Sequence, residues 1–491
     1  MRNRPNIIFI LTDDQGAWAL GAAGNQEVIT PNLDRLASEG TYFPNFFCAS
    51  PVCSPARASI LTGLAPSQHG IHDWIRSGNV PAEQCPKPVM DDTSAIEYLA
   101  GLPTYTQLLA DSGYVCGLSG KWHLGDSLRP QQGFSYWRVI PYGGSEYYGA
   151  PILRGGQMET DDRYLTEVIT EGALDFLERY GQGEQPFYLS VHYTAPHSPW
   201  DHDQHPEELR SLYGDCTFAS CPDEGLHPWQ INSAPRGVGA RRRELLTGYY
   251  ASITGVDRGV GMLLAWLDAH SLREQTLVVF TGDNGMNMGH HGIWGKGNGT
   301  FPQNMYDTSV KVPFIAAHTG QIPAGIVADG LFSHYDILPT LLDYVGLDAA
   351  IPTALPGCSF AAALCGDDAP AHEHVVVFDE YGPVRMIRST QWKYIHRYPD
   401  GPHELYHLVR DPEERDNLIG DSGHTGIVDR LRRELEAWFQ RFATMERDGV
   451  RQPVTGKGQI ERVGLEGDGR AAFADDWYYI EADGAPRLSP Q

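Results

Sequence analysis

The sequence contains no apolar run of about 18 residues, so it predicts no membrane-spanning helix. Basic residues are also scarce, with 37 Lys and Arg against 62 Asp and Glu and a formal net charge of −25. Nucleic acid and anionic membrane surfaces need a basic protein face, so this balance argues against both as partners. An anionic substrate would therefore need a local island of positive charge.

Cysteine is sparse and irregularly spaced. Neither close pair, Cys216/Cys221 or Cys358/Cys365, has the spacing of a zinc site, so we expect most of the cysteines to be buried thiols. The eight cysteines are residues 48, 53, 85, 116, 216, 221, 358 and 365. No small-residue cleavage site follows the short N-terminal apolar run, so we expect a cytoplasmic protein unless a leader has been removed.

Short apolar runs alternate with segments of helical periodicity. Residues 6–12, 185–193 and 276–285 are predicted to be strands with both faces buried, and residues 161–181 and 242–270 are predicted to be long helices. This alternation is typical of an α/β protein with a large, mostly parallel (mixed) sheet flanked by helices.

The character of the sequence changes after about residue 370, where short strands and turns precede one more helix. We therefore predict a large α/β domain over residues 1–370. A smaller C-terminal α+β domain, with a short antiparallel sheet, a helix and a tail, is predicted over residues 371–491. Residues 201–240, which are rich in His, Pro, Gly and Cys, are predicted to form a surface excursion or lid.

Oxygen-bearing side chains follow two of the predicted strands. Asp13 and Asp14 come directly after the first strand, and Asp283 and Asn284 come directly after the strand that ends near Thr281. Taken singly, Asp-Asp and Asp-Asn-Gly are ordinary turn sequences. Together, at the carboxyl ends of strands, they predict a site for a hard dication such as Ca²⁺ or Mg²⁺.

Basic side chains also follow the ends of predicted strands. They are Lys121, His123, His197 and Lys296. With 19 histidines in the chain, some must be unremarkable. We assign four to ordinary solvated positions, namely His192, His202, His205 and His227. The shared position of the two lysines with His123 and His197 predicts an anion site beside the dication.

The stretch CSPARASILTG at residues 53–63 starts a predicted helix with a thiol, a proline and, four residues after the thiol, Arg57. Three interpretations of Cys53 compete: a buried structural residue, a catalytic thiol, or a cysteine that is chemically changed. A catalytic thiol would not need a hard-metal site, and a structural thiol would not need the neighbouring proline and arginine. The residues alone do not decide whether Cys53 is chemically changed.

This stretch resembles the C-x-P-x-R signature of the type I sulfatases of the alkaline phosphatase superfamily. In that family a maturation enzyme oxidises the signature cysteine to Cα-formylglycine. Several other segments resemble the family too, among them PNIIFILTDDQG, SGKWHLG, APHSP and GDNGMNMGHHGIWGKG. The resemblance spans most of the chain and implies an alkaline-phosphatase-like fold.

By matching position, the resemblance implies roles for the site residues. The Ca²⁺ ligands would be Asp13, Asp14, Asp283, Asn284 and the modified Cys53, with Mg²⁺ as the other possible ion. The aldehyde hydrate made from Cys53 would attack sulfur, and Arg57 would orient that hydrate. Lys121 and Lys296 would bind sulfate oxygens. His197, together with Lys296, would protonate the leaving alcohol, and His123 would help to deprotonate the hydrate.

Substrate recognition is predicted from the segments beside the signature and the strand ends. The candidate substrate-binding residues are His72, Asp73, Trp74, Arg76 and Trp200, with Tyr147 and Tyr148 as further stacking candidates. Because this rim is polar as well as aromatic, we favour an exo-acting hydrolase of small carbohydrate O-sulfates. The alternatives are an aryl sulfatase, a phosphonate or phosphodiester hydrolase of the same superfamily, and a non-catalytic binding descendant.

Overall fold

The computed structural model describes residues 4–81, 94–367, 371–379 and 383–464, with the short stretches 471–475, 478–480 and 486–488. The strands are β1 Asn6–Thr12, β2 Thr41–Tyr42, β3 Phe46–Phe47, β4 Val115–Lys121, β5 Phe134–Ile140, β6 Ala150–Arg154, β7 Gln157–Asp161, β8 Phe187–His192, β9 Thr276–Gly282, β10 Asn287–Met288, β11 Trp294–Gly295, β12 Lys311–Val312, β13 Phe314–Ala317, β14 Ile326–Val327, β15 Phe332–Ser333, β16 Val375–Asp379, β17 Val384–Arg388, β18 Trp392–Arg397, β19 Glu404–His407, β20 Tyr478–Ile480 and β21 Pro486–Leu488.

The helices are α1 Pro31–Ser38, α2 Cys53–Thr62, α3 Pro66–His69, α4 Tyr105–Asp111, α5 Leu165–Tyr180, α6 Glu207–Arg210, α7 Gly239–Ala269, α8 Asp307–Val310, α9 Ile337–Tyr344, α10 Ala361–Leu364 and α11 Thr425–Phe442. Within the described ranges, none of these helices combines the length and the apolar character needed to cross a bilayer.

A ten-stranded sheet forms the centre of the molecule, in the order β14-β2-β13-β9-β1-β8-β4-β5-β6-β7. The five strands from β9 to β5 are parallel, and antiparallel pairs flank them on both sides. This confirms the predicted mostly parallel, mixed sheet. All seven residues of β1 are buried, which explains why residues 7–11 are an unbroken apolar run.

Helices cover both faces of this sheet. Ile7, Phe9 and Leu11 of β1 belong to one core cluster, together with residues of α2, α4 and α9. Ile8 and Ile10 point to the opposite face and belong to a second cluster with residues of α1, α5 and α7. Successive side chains of a strand alternate between faces, so one strand contributes to both cores.

The C-terminal part is a four-stranded antiparallel sheet, β16-β17-β18-β19, against which α11 packs through Leu431, Leu435 and Phe439. This confirms the predicted smaller α+β unit, while the boundary at residues 370/371 stays a prediction. Beyond α11 the chain returns to the larger unit. The backbone N–H of Gln459 donates to the Trp74 carbonyl (2.8 Å), and residue 459 in turn accepts from Arg76 N–H (2.9 Å).

The segment 201–240 is anchored over its first half. Leu209, Tyr213, Phe218 and Cys221 are buried in the same core as α7. The Glu27 carboxylate accepts hydrogen bonds from the backbone N–H groups of residues 219 and 220, both at 2.8 Å. Most of residues 207–221 are exposed or half-buried, which agrees with the expected surface excursion, while these four buried side chains fix the segment to the core.

The structure describes seven of the eight cysteines. Cys48, Cys53, Cys116 and Cys221 are buried, and the other three are half-buried. Cys216 and Cys221 are free thiols, and Cys85 lies outside the described residues.

A buried ion pair at the N-terminus of α9 makes stability depend on pH. His372 Nε2 lies 2.7 Å from Asp336 Oδ1, and the Cys358 backbone N–H donates to the same oxygen (2.9 Å). Burial alone would lower the pKa of His372, but the Asp336 carboxylate raises it to about 10. The unfolded chain releases this proton near pH 6.5, at the ordinary histidine pKa.

We therefore expect His372→Gln to lower the free energy of unfolding by about 2 kcal/mol at pH 6. When folding raises the pKa of a group, the group makes its full contribution to the free energy of unfolding at pH values below its pKa in the unfolded chain. This contribution is lost as the pH rises toward its pKa in the folded protein. The difference between the variant and wild type should shrink steadily up to about pH 10, as measured by urea unfolding. A difference that does not change with pH would contradict the assignment.

Candidate active site

Three carboxylates meet where β1 and β9 end. The two strands are parallel and in register, with Thr12 opposite Gly282, so the residues that follow them are neighbours. Carboxylate oxygens of Asp13, Asp14 and Asp283 all lie within 4.8 Å of one another, and all three residues are buried. The Asp14 backbone N–H donates to Asp283 Oδ1 (3.1 Å), which ties the two strand ends together.

Each carboxylate has its own cation. Lys121, at the end of β4, pairs with Asp13. Arg57 Nε donates to Asp283 Oδ2 (2.9 Å), and Lys296 Nζ donates to Asp14 Oδ1 (2.6 Å). Buried charges need such partners, because the desolvation cost of an unpaired ion is several kcal/mol. Because three cations here offset three carboxylates, the side chains of this cluster alone do not form the predicted island of positive charge.

The pKa values of the three carboxyl groups differ because their surroundings differ. Burial, reinforced by the neighbouring Asp283, raises the pKa of Asp13 to about 6. Burial also acts to raise the pKa of Asp14, but Lys296 and His197 hold it well below its usual range. For Asp283, Arg57 and Lys121 outweigh burial and lower the pKa.

The donor atoms at this cluster fit a hard dication. Asp13 Oδ1 and Asn284 Oδ1 are buried acceptors with no hydrogen-bond partner among the described residues. Asn284 Nδ2 donates to Asp14 Oδ1 (2.8 Å) and to the Gly285 carbonyl (2.9 Å), so the amide is held while its oxygen is left available. An all-oxygen donor set of this kind suits Ca²⁺ or Mg²⁺.

Cys53 is the first residue of α2, and the whole helix is buried. The extended Val52 precedes it, and the helix ends at Gly63, whose φ of 66° is a left-handed conformation that favours glycine. The thiol is 4% exposed. Burial raises its pKa, so an unmodified Cys53 is a neutral thiol rather than a reactive thiolate.

Arg57 explains the four-residue spacing of the signature. Residues four apart lie on the same face of a helix, so Arg57 stands one turn beyond Cys53. Its Nε binds Asp283, its Nη1 donates to the Lys121 carbonyl (3.2 Å), and its buried Nη2 has no partner among the described residues. The guanidinium thus joins α2 to the ends of β9 and β4 and keeps one N–H group free.

Two histidines complete the cluster. His123 has a φ of 55° and is buried, with Nε2 3.1 Å from the Ile75 carbonyl. Burial, together with the cations Lys121 and Arg57, lowers its pKa far below the usual range, so the ring is neutral. The His197 side chain is 25% exposed, its Nε2 lies 3.8 Å from Asp14 Oδ2, and its Nδ1 lies 2.7 Å from the Ser198 carbonyl.

The predicted substrate residues divide into two groups. Trp74 is half-buried and packs, with Val454, against Val52 and Cys53, so it stands beside the signature residue. Trp200, in contrast, is completely buried in the second core, where its Nε1 donates to the Pro196 carbonyl (2.7 Å). Trp200 is therefore a packing residue, and the expectation that it contacts substrate is wrong.

The remaining three are also enclosed by protein. His72 Nε2 lies 2.8 Å from the Arg447 carbonyl, Asp73 Oδ2 accepts from the Gly458 N–H (3.1 Å), and Arg76 Nη1 donates to the Lys457 carbonyl (3.3 Å). All three side chains are at most 1% exposed. They bind the returning C-terminal segment, which corrects the expectation that they read a substrate.

Some residues that support the site were not recognised from the sequence. His192, assigned above to a solvated position, is buried, with Nδ1 3.1 Å from the Lys121 carbonyl. His205 is likewise buried, with Nδ1 3.1 Å from the Tyr164 hydroxyl. Gly143 packs on the His123 ring so closely that a Cβ there would lie 2.1 Å from Cε1. The glycine pair at 143–144 was the one sequence signal for this close approach.

Comparison with known proteins agrees with this geometry. The sequence profile of the family described as Sulfatase matches residues 5–347, more than half of the chain and every residue of the cluster. The chain belongs to the sulfatase family. A second profile, for the C-terminal part of N-sulphoglucosamine sulphohydrolase, matches residues 289–441 of this sulfatase.

Individual relatives are carbohydrate sulfatases by name. An ulvan-active sulfatase from Formosa agariphila is 30% identical over 435 residues, covering 85% of this chain and 77% of its own length. An N-acetylglucosamine-6-O-sulfatase from Bacteroides thetaiotaomicron is 25% identical, covering 91% and 88%. A solved structure described as a complex with its substrate D-glucosamine-2-N,6-O-disulfate shares the fold, with a TM-score of 0.75, 23% identity and coverage of 92% and 100%.

Proposed function

We propose that this sulfatase hydrolyses sulfate esters of saccharides to the alcohol and inorganic sulfate, with residue 53 as the reacting group. One observation carries the proposal: Cys53 begins a buried helix that Arg57 ties to a cluster of three carboxylates and their cations. Tetrahedral anions bind where helix N-termini and positive side chains converge. The names of the relatives favour a sulfated sugar as the substrate.

The family resemblance supports conversion of Cys53 to formylglycine, which requires a maturation enzyme in the producing cell. The neutral, buried thiol is consistent with this, because it is poorly suited to act as a thiolate nucleophile. The hydrated aldehyde would supply a hydroxyl nucleophile. The unpartnered Arg57 Nη2 is the N–H group available to orient it.

Asp13, Asp14, Asp283, Asn284 and residue 53 would hold the dication, most simply Ca²⁺. When bound, the ion would offset negative charge on the transferring sulfuryl oxygens. Lys121 and Lys296 are the ammonium groups placed to bind the same oxygens. Asp13 and Asp14, which pair with these two lysines, would then bind both a lysine and the metal.

Acid–base roles divide according to exposure. His197 is the more accessible histidine of the cluster, so it is placed to give a proton to the leaving alcohol at the mouth of the site. The Ser198 carbonyl holds its Nδ1 and leaves Nε2 directed toward Asp14. His123 is enclosed, with Nε2 against the Ile75 carbonyl and Nδ1 without a partner among the described residues, so Nδ1 is the atom available to accept a proton from the residue 53 hydrate.

The role of His197 predicts a dependence on the leaving group. His197→Ala should reduce hydrolysis of glucosamine 6-sulfate by about 10²–10³-fold, because a sugar alkoxide needs protonation as it departs. An aryl sulfate with an acidic phenol needs little protonation, so its hydrolysis should fall much less. Matched kcat/KM values for the two esters check this. An equal loss on both would indicate that His197 serves binding or structure instead.

A substrate panel tests the proposed function as a whole. Sulfate release would be measured from 6-sulfated glucosamine and galactosamine, from a sulfated disaccharide, and from nitrophenyl sulfate and a phenyl phosphonate. We expect at least one sugar sulfate to exceed both aryl esters in kcat/KM. Turnover of the aryl sulfate alone would reject the saccharide assignment, and preference for the phosphonate would reject the sulfatase assignment.

A further inference from the structure

A second, separate anion site is suggested by a cavity of about 390 Å³ between β5, β6 and α5. Its lining shares no residue with the active-site cluster. The charged side chains around it are Arg138, Arg154, Arg163, Arg179, Glu171 and Asp175. Four guanidinium groups against two carboxylates are unusual on a chain whose net charge is −25.

Two of these arginines face each other across strands. Arg138 of β5 and Arg154 of β6 are directly opposite in the antiparallel pair. Like charges at opposed positions destabilise a sheet. Arg138 is 8% exposed, and its Nε and Nη2 are buried without a partner among the described residues. A buried guanidinium stays charged, so this arrangement costs folding free energy unless an anion joins it.

The nearby carboxylates are already engaged. Arg163 binds Glu171 through Nη1 (2.8 and 2.6 Å) and Asp161 through Nε and Nη2 (3.0 and 2.7 Å). Arg179 binds Asp175 through Nε and Nη2 (3.0 and 2.9 Å). Four arginines against three carboxylates (Asp161, Glu171 and Asp175) leave one net positive charge beside the cavity, and neither Arg138 nor Arg154 is paired with Glu171 or Asp175.

We propose that Arg138 and Arg154 bind a tetrahedral oxyanion, either inorganic sulfate or the sulfate group of a saccharide. The planar guanidinium presents paired N–H groups that match the spacing of oxyanion oxygens, and charge-assisted hydrogen bonds of this kind are the strong ones. The cavity is large enough for a sulfate with one attached sugar ring. This site would bind the anion without cleaving it, and it goes beyond the proposed catalytic function.

Calorimetric titration tests the proposal on Cys53→Ala protein, so that no ester is consumed. The probes are sodium sulfate, glucosamine 6-sulfate and unsulfated glucosamine, at ionic strength held constant with chloride. The variants are Arg138→Met and Arg154→Ser, each made in that background. Arg432→Gln is the matched control, because Arg432 is an exposed arginine whose Nε donates to Glu436 (2.9 Å) and which does not line the cavity.

We expect a binding event that weakens at least roughly tenfold in Arg138→Met and in Arg154→Ser but not in Arg432→Gln. If sodium sulfate binds with the same affinity as the sugar sulfate, the ligand is the free anion. If glucosamine 6-sulfate binds tenfold tighter than sulfate, the ligand is the saccharide. Unchanged titrations of both sulfated probes in the two variants would overturn the proposal. Because binding is measured without turnover, failure of the catalytic assignment would not affect this result.

A stability measurement guards against loss of binding through misfolding. In chloride buffer, Arg138→Met should melt at or above the temperature of its parent, because the substitution removes a buried, unpartnered charge beside another arginine. Sulfate should raise the melting temperature of the parent more than that of the variant. A variant that melts well below its parent in both buffers would instead show that Arg138 serves packing, and would count against the site.

Discussion

Replacing Cys53 by alanine is expected to reduce sulfate-ester hydrolysis by at least about 10⁴-fold, since removing a nucleophile costs more than removing any group that assists it. The substitution deletes one sulfur atom at the start of α2 and leaves the Arg57–Asp283 contact in place. Folding and metal binding by the aspartates should therefore survive. Initial rates of sulfate release from glucosamine 6-sulfate, compared with wild type, measure the effect.

The matched control is Cys116→Ala. Cys116 is another buried cysteine, in β4, whose Sγ lies 3.7 Å from the Thr106 carbonyl, and it takes no part in the cluster. This variant should lose about 1–2 kcal/mol of stability and keep its activity within a few-fold. A Cys53→Ala protein as active as Cys116→Ala would end the assignment of residue 53 as the reacting group.

Mass spectrometry of the peptide that contains residues 53–57 separates the thiol from its oxidised form. We expect the fraction of molecules that has lost sulfur and gained an aldehyde to track specific activity across preparations. The reason is that burial raises the pKa of the thiol, which is then neutral and a poor nucleophile. Full activity in protein that retains the sulfur would show that the chain uses a different nucleophile.

The fold and the cluster of carboxylates at the strand ends could be predicted from the sequence for one physical reason. A strand buried on both faces must be continuously apolar, so β1 and β9 stand out, and whatever follows them must lie at the carboxyl edge of the sheet. Asp13 and Asp283 could therefore be placed together before any coordinates were known. The parallel register of Thr12 with Gly282 then brings them into contact.

The substrate-binding residues could not be predicted from the sequence in this way. His72, Asp73 and Arg76 look like exposed polar residues of a loop, and nothing local shows that residues 457–459, nearly four hundred positions later, cover them. The pairing of such distant segments depends on the whole path of the chain. Trp200 failed as a prediction for a similar reason, since an aromatic residue after a strand fits a core as well as a pocket.

Substitution of Asp13 by asparagine is expected to abolish stabilisation by Ca²⁺ and to lower activity by about 10³-fold, because a charged ligand of the dication is lost. Wild type should melt at a lower temperature in chelator and recover with added Ca²⁺, whereas Asp13→Asn should respond to neither. Asp257→Asn is the control: Asp257 is a buried aspartate that accepts from the backbone N–H of Leu33 (2.8 Å), away from the cluster.

Asp13→Asn also leaves the buried Lys121 without its carboxylate, which by itself can cost several kcal/mol. A second variant, Asn284→Ala, avoids this difficulty because Asn284 carries no charge and every ion pair of the cluster remains. It removes one unpartnered buried oxygen together with the two hydrogen bonds that Nδ2 donates to Asp14 and Gly285. We therefore expect Ca²⁺ binding to weaken by roughly 10–100-fold and the melting temperature in chelator to fall less than in Asp13→Asn. If both variants kept the Ca²⁺ response of wild type, the three strand-end carboxylates would serve only as partners of Arg57, Lys121 and Lys296. The assignment of a dication site to this cluster would then be wrong.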